Sequence, residues 1–175
     1  MTRIRPETQA DIAAVHTINV DAFTTSEFGY SGEAEIVDEL RSSHQEGILS
    51  LVAEAAGKIV GHILFSPVTI GEEDCAIIGM GLGPMAVPPA CQREGIGTQL
   101  IEDGIKQLRD RGTPFIVVLG HPQYYSRFGF RRASAQGIHC EYDGVPDEAF
   151  MVLVLDESFV AQGVARYLPE FGGVT

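Results

Sequence analysis

The residues best placed to do chemistry in this chain are Gln92, Arg93, Glu94, Gly95, Ile96, Gly97 and Thr98. They follow a short apolar run, Met85-Ala86-Val87, which Pro88 and Pro89 stop, because proline cannot donate to a sheet ladder. Beyond them Ile101, Ile105 and Leu108 recur at helical spacing, with Gly97 and Gly104 on the same stripe. Glu102 and Lys106 form a supporting pair one turn apart, and Arg109, Arg111 and Gly112 are helix-end signals. The order is therefore strand, glycine loop, helix N-terminus. The first turn of a helix offers free N–H groups and the positive end of its dipole, and glycines let a phosphate approach the backbone. The stretch thus predicts an anion site. A dinucleotide fingerprint fails because Leu100 stands where a third glycine is needed. A phosphate-binding P-loop fails because Thr98 follows Gly97 with no lysine between. An ordinary strand-to-helix turn with two glycines would satisfy the same spacing.

A second segment follows a buried strand predicted over Phe115–Leu119; it reads Tyr124-Tyr125-Ser126-Arg127-Phe128-Gly129-Phe130. Together the two segments carry a family resemblance. The spacing Gln92-x-x-Gly95-x-Gly97 resembles the acyl-CoA pyrophosphate loop of the GNAT N-acetyltransferase superfamily. Tyr124–Phe130 resembles the aromatic-Tyr-x-Lys/Arg-x-Gly-Phe segment that closes the cofactor site of that superfamily. Leu82-Gly83-Pro84 and Tyr124-Tyr125 look most like its YhbS-like branch. The resemblance covers roughly Ile4 to Leu155.

That resemblance implies an α/β fold whose mixed, mostly antiparallel central sheet is splayed at the cofactor strand and flanked by helices. It implies an acetyl-CoA-dependent N-acetyltransferase acting by direct attack of an amine, carried by a small molecule or a peptide. The backbone of Gln92–Thr98 would hold the pyrophosphate, and Ala86 and Val87 would contact pantetheine. The Met85 N–H would polarise the thioester carbonyl, and Tyr125 would be the general acid. A phenol of ordinary pKa ~10 is protonated at neutral pH, as a donor to a thiolate must be. Tyr124 is expected to pack. Some family members carry a glutamate on the central strand four residues before the position of Met85; here that position is Gly81. Glu27, Glu33, Glu54, His121 or a water relay are the remaining candidates for the base, and His62 reads equally as a satisfied sheet histidine. A non-catalytic acyl-CoA-binding module on the same fold is the alternative. A nicotinamide oxidoreductase is disfavoured by the failed fingerprint.

Composition bounds these readings. The chain has 175 residues, 45% of them hydrophobic, which suits a single domain over 1–175 with a sizeable core. A formal charge of −12 argues against nucleic acid and leaves room for a cationic substrate. No run approaches a membrane span, and the N-terminus lacks the apolar core of a signal peptide, so a cytoplasmic location is expected. Cys75, Cys91 and Cys140 are far apart and show no metal spacing, which fits reduced thiols and no bound metal. A homodimer is left open.

The remaining elements must position the two segments. Arg3–Arg5 reads as a first strand. Thr8 and Asp11 form a capping box for a helix whose stripe is Ile12, Val15, Ile18 and Ala22. Phe28 and Tyr30 lie in a loop expected to line the acceptor pocket, and a second helix follows Ser31 with Ile36, Val37 and Leu40 buried. Strands are predicted over 48–55 and 58–70, and over 76–87, where Gly79, Gly81 and Gly83 suggest a bulge or a close backbone approach. Strands at 138–142 and 150–155 flank an Asp143-Gly144 turn, and a terminal helix is expected at about 158–168.

Overall fold

The computed structural model describes residues 1–159 and 161–173. The chain forms two compact units. One holds Met1–Phe65, Pro84–Ile105 and the described residues from Pro169; the other holds Ser66–Gly83 and Lys106–Leu168.

In the first unit, strands β1 (Thr2–Pro6), β2 (Leu49–Ala55) and the first part of β3 (Lys58–Ile70) form an antiparallel meander. The tight turn at Ala56-Gly57 fixes its register, and both residues take positive φ (49° and 74°). Successive side chains on a strand point to opposite faces. On one face Val52 packs with Val15 of α1 (Ile12–Thr24) and Val37 of α2 (Glu33–Ser43). The other face meets α3 (Ile96–Asp110). There a Cβ on Gly61 would lie 2.8 Å from Ile96 and 3.1 Å from Leu100, and one on Gly104 would lie 2.4 Å from the Phe65 ring. Bare backbone on each element lets helix and strand approach, and this seats the first turn of α3. The run Gly61–Ser66 is buried on both faces, which accounts for its lack of polar alternation.

In the second unit, β4 (Ile77–Ala86) pairs in parallel with β5 (Phe115–Leu119) through Met80–Leu82 against Ile116–Val118. Gly83 follows the ladder directly with φ 144°, a conformation that side chains rarely adopt. This is the backbone irregularity expected from the glycines. Strand β8 (Phe150–Val154) is antiparallel to β5 and to the two-residue β6 (Arg131–Arg132). The core of this unit gathers Val68, Phe115, Val117, Ile138, Phe150 and Ala165. The fold is mixed α/β; most strand pairs are antiparallel and helices flank them.

One expectation is corrected. The helix expected at 158–168 is instead a strand, β9 (Gly163–Arg166), with Val160 outside the described residues. Strand β9 pairs antiparallel with Thr69-Ile70 of β3 and parallel with β7 (Ile138–Cys140). Ala165 is fully buried between exposed Val164 and Arg166, a period of two in place of the helical period. Asp143-Gly144 is a turn between β7 and β8, as expected, and the two strands it separates pair elsewhere: β7 with β9, and β8 with β5 and β6.

Candidate active site

The glycine loop lies within the first unit. A short 3-10 turn, Pro89–Cys91, lifts the chain off β4, and the Gln92 amide ties the loop back by donating to the Val87 carbonyl at 3.0 Å. Gln92, Arg93, Glu94 and Gly95 are exposed, whereas Ile96 is buried against the strand and anchors the helix. Arg93 and Gly95 both take positive φ (67° and 81°). For Arg93 such a conformation costs roughly 1–2 kcal/mol, which the surrounding turn must offset. A Cβ added at Gly95 would meet no atom within 4 Å, so the backbone there faces open space. The Gln99 N–H donates to the Gly95 carbonyl at 3.1 Å. The N–H groups of Ile96, Gly97 and Thr98 precede that bond, at the positive end of a 15-residue helix. Met85, Ala86 and Val87 lead into this loop, with Ala86 buried and its two neighbours partly exposed.

The aromatic segment belongs to the second unit. The short helix α4 (Pro122–Tyr125) starts two residues after β5. Tyr125 is 8% exposed and makes edge contacts with the rings of Tyr124 (5.1 Å) and Phe130 (5.8 Å). Its ring also covers the backbone of Gly120, where a Cβ would lie 2.3 Å from it. Burial raises the Tyr125 phenol above its ordinary value, and Tyr124 adds to the rise. The group therefore stays protonated through the working pH range of an enzyme. Arg127 lies over Tyr124 at 5.4 Å and over Phe128 at 5.6 Å, holding the outer aromatic layer by cation–π contact.

The candidate bases are dispersed. Glu54 is tied to Arg5 at 2.6 Å, and the Glu33 carboxylate accepts the Ser31 N–H at 2.8 Å. Glu27 and His121 are exposed, and His121 occupies the N-cap position of α4 without a side-chain cap bond. In the loop expected to face the acceptor, Phe28 is 82% exposed and the Tyr30 hydroxyl donates to the Glu35 carboxylate. Burial and that carboxylate push the Tyr30 phenol up to about 12.

His62 belongs to a buried network that sequence reading does not assemble. The Asn19 amide donates to the Val15 carbonyl at 2.9 Å and to His62 Nδ1 at 3.1 Å. This leaves Nε2 to carry the proton and donate to Ser50 Oγ at 2.9 Å, while the Ser50 hydroxyl donates to Glu7. A serine–histidine nucleophile needs the opposite polarity, with the imidazole taking the serine proton. The network is structural, and burial drives the His62 pKa down to about 3, with Arg41 contributing.

At Gly81 the structure adds a residue that no sequence motif announces. A Cβ there would lie 2.8 Å from the Tyr167 ring and 2.9 Å from Val68. Tyr167 stacks on Tyr142 with ring centroids 5.6 Å apart, and its N–H donates to Glu141 at 2.6 Å. The space of the absent central-strand side chain is therefore filled by a tyrosine that follows β9.

Residues 12–130 match the model of the acetyltransferase (GNAT) family. The chain is 42% identical to the uncharacterized N-acetyltransferase YjhQ of Escherichia coli, over 71% of this chain and 69% of that protein. Its fold superposes on a GNAT family acetyltransferase from Brucella melitensis solved with acetyl-CoA, with a TM-score of 0.79, 37% identity and 98% of each chain covered. It also superposes on YhbS of Escherichia coli solved with CoA, with a TM-score of 0.83, 30% identity, and 98% and 92% of the two chains covered. A glycine loop at a seated helix N-terminus, a Tyr-x-Arg-x-Gly-Phe segment after the next strand and these likenesses agree: the chain belongs to the GNAT acetyltransferase family.

Proposed function

We propose that this protein is an N-acetyltransferase that moves the acetyl group of acetyl-CoA onto an amine by direct attack. The observation that carries the reading is the loop that runs from exposed Gln92–Gly95 into the first turn of α3. It places three helix-start N–H groups behind a glycine whose Cα faces open space, as a bulky pyrophosphate needs. The acetyl-CoA bound to the Brucella melitensis relative and the CoA bound to YhbS support the choice of cofactor. Bound at the loop, acetyl-CoA supplies a thioester acyl group to the incoming amine.

The residues of the chain then have separate tasks. Main-chain N–H groups of Gln92–Thr98 and the dipole of α3 hold the phosphates, and Ala86 and Val87 flank the pantetheine arm. The Met85 N–H donates to the acyl carbonyl and favours the charge that grows on its oxygen. Tyr125 donates its phenolic proton to the departing thiolate, and its raised pKa keeps that proton available. The amine proton leaves through water, because Gly81 provides no carboxylate and Glu54 is engaged by Arg5. The acceptor is an amine on a small molecule or a peptide. Binding without chemistry is not favoured among such relatives. Among the described residues no helix is long and apolar enough to cross a membrane.

The test is acetyl-CoA-dependent release of free CoA thiol over a panel of amines, amino acids and peptide N-termini. Amine-stimulated release with an acetylated product found by mass spectrometry is the expected result. Binding of acetyl-CoA with no stimulation by any acceptor would leave a binding module in its place.

A further inference from the structure

We infer that Gly120 is a positioning residue for acetyl transfer: its missing side chain makes the seat against which Tyr125 is clamped, and this fixes where the phenolic proton is delivered. The inference deepens the acetyl-transfer reading and rests on it for the task of the Tyr125 hydroxyl.

The backbone at Gly120 does not take a positive φ, so conformation alone does not call for glycine there. The neighbouring ring does. A Cβ at Gly120 would lie 2.3 Å from Tyr125 Cε2, 2.9 Å from Cδ2 and 3.3 Å from Cζ, the carbon that bears the hydroxyl. Neither side of this contact is free to give way. The Gly120 N–H donates to the Ala149 carbonyl at 3.0 Å, one step beyond the Leu119–Phe150 pair of the β5–β8 ladder, which pins the glycine to the sheet. The Tyr125 N–H donates to the His121 carbonyl at 3.2 Å, which holds its backbone in the turn after Gly120. Its ring meets Phe130, itself 2% exposed, at 5.8 Å and Tyr124 at 5.1 Å. All these residues belong to the second unit, so the seat is complete within it. Close-packed groups of this kind transmit a displacement instead of absorbing it. The hydroxyl, by contrast, is unengaged: among the described residues it donates to no protein group, and its oxygen is not fully enclosed. A held ring with a free hydroxyl is what delivery of a proton to one point requires. Relieving the contact from 2.3 Å to an ordinary 3.4 Å would move the ring by about 1 Å, and a misplacement of that size costs about a hundredfold in rate.

The experiment is a double-mutant cycle in the full-length protein, comparing wild type, Gly120→Ala, Tyr125→Phe and the pair. The readouts are single-turnover acetyl transfer, with the most active amine of the panel as acceptor, and calorimetric affinity for acetyl-CoA. Gly120→Ala should lose about a hundredfold in rate and keep its affinity for acetyl-CoA. In the Tyr125→Phe background the same change should cost about twofold or less, because phenylalanine keeps the ring and the clash but has no proton to misplace. A purely structural role would persist in that background, so equal losses in the two backgrounds overturn the inference. A native rate in Gly120→Ala also overturns it. A native rate in Tyr125→Phe removes the general-acid reading, and the inference with it. Where Gly120→Ala fails to fold, ring-carbon NMR of the wild type decides, with Tyr125 assigned by the signals lost in Tyr125→Phe. A clamped ring should show two unequal edges or exchange-broadened signals. One sharp, averaged set would mean that the ring flips freely, and the clamp would be refuted.

Discussion

Replacing Tyr125 with phenylalanine isolates one proton. The ring keeps its edge contacts with Tyr124 at 5.1 Å and Phe130 at 5.8 Å, and its cover over Gly120. Packing is therefore conserved, and the change in stability should stay within about 1 kcal/mol, the worth of one hydroxyl interaction. The chemical step should suffer far more. General acid catalysis is worth about a hundredfold to ten-thousandfold, or ~2.7–5.4 kcal/mol at 1.36 kcal/mol per tenfold. Because burial raises the phenol above its ordinary value, the wild-type rate should show no alkaline loss from this group at or below pH ~10. The assay is single-turnover acetyl transfer across pH, with acetyl-CoA affinity measured separately and Tyr124→Phe as control. A native rate in Tyr125→Phe would make Tyr125 a packing residue. A fall in affinity with an intact rate would make it a binding residue.

Two further outcomes are expected. Gly104→Ala places a Cβ 2.4 Å from the ring of fully buried Phe65. Overpacking of roughly 1–3 kcal/mol should exceed the ~1 kcal/mol gained in helix propensity, so a melting temperature at or above that of the wild type would refute the close helix–strand seat. His62 is neutral in the folded state with a pKa of about 3, against 6.5 in the unfolded chain. The unfolded state therefore binds the extra proton between those values. Stability should fall as pH drops from about 6.5 toward 3, by at most ~1.4 kcal/mol per pH unit. Urea midpoints across that range check it, and a slope unchanged in His62→Gln would assign the loss to other groups.

The site was legible where its chemistry is local. The loop announces itself because prolines, glycines and a helical stripe fall within one short stretch, and the Tyr124–Phe130 segment because Tyr124, Tyr125, Phe128 and Phe130 lie close together in sequence. The glycines of β4 were readable as a backbone irregularity, and Gly83 supplies it. Strand β9 was not legible: four residues cannot show a period, and its partners lie far away at Thr69-Ile70 and Ile138–Cys140. Missing β9 meant missing Tyr167, so the occupant of the space beside Gly81 could not be read from the chain. The same holds for His62, whose neutral state depends on Asn19 and Ser50 from other elements.

The most direct measurement is a calorimetric titration of acetyl-CoA into the wild type and into Gly97→Val, each shown to be folded by its melting curve. Gly97 stands in the first turn of α3, among the N–H groups offered to the pyrophosphate, and valine there is expected to disturb that turn. Saturable binding by the wild type and a loss of about tenfold or more in the variant are expected. Equal affinity in the two proteins would contradict the assignment of the Gln92–Thr98 loop as the acetyl-CoA site.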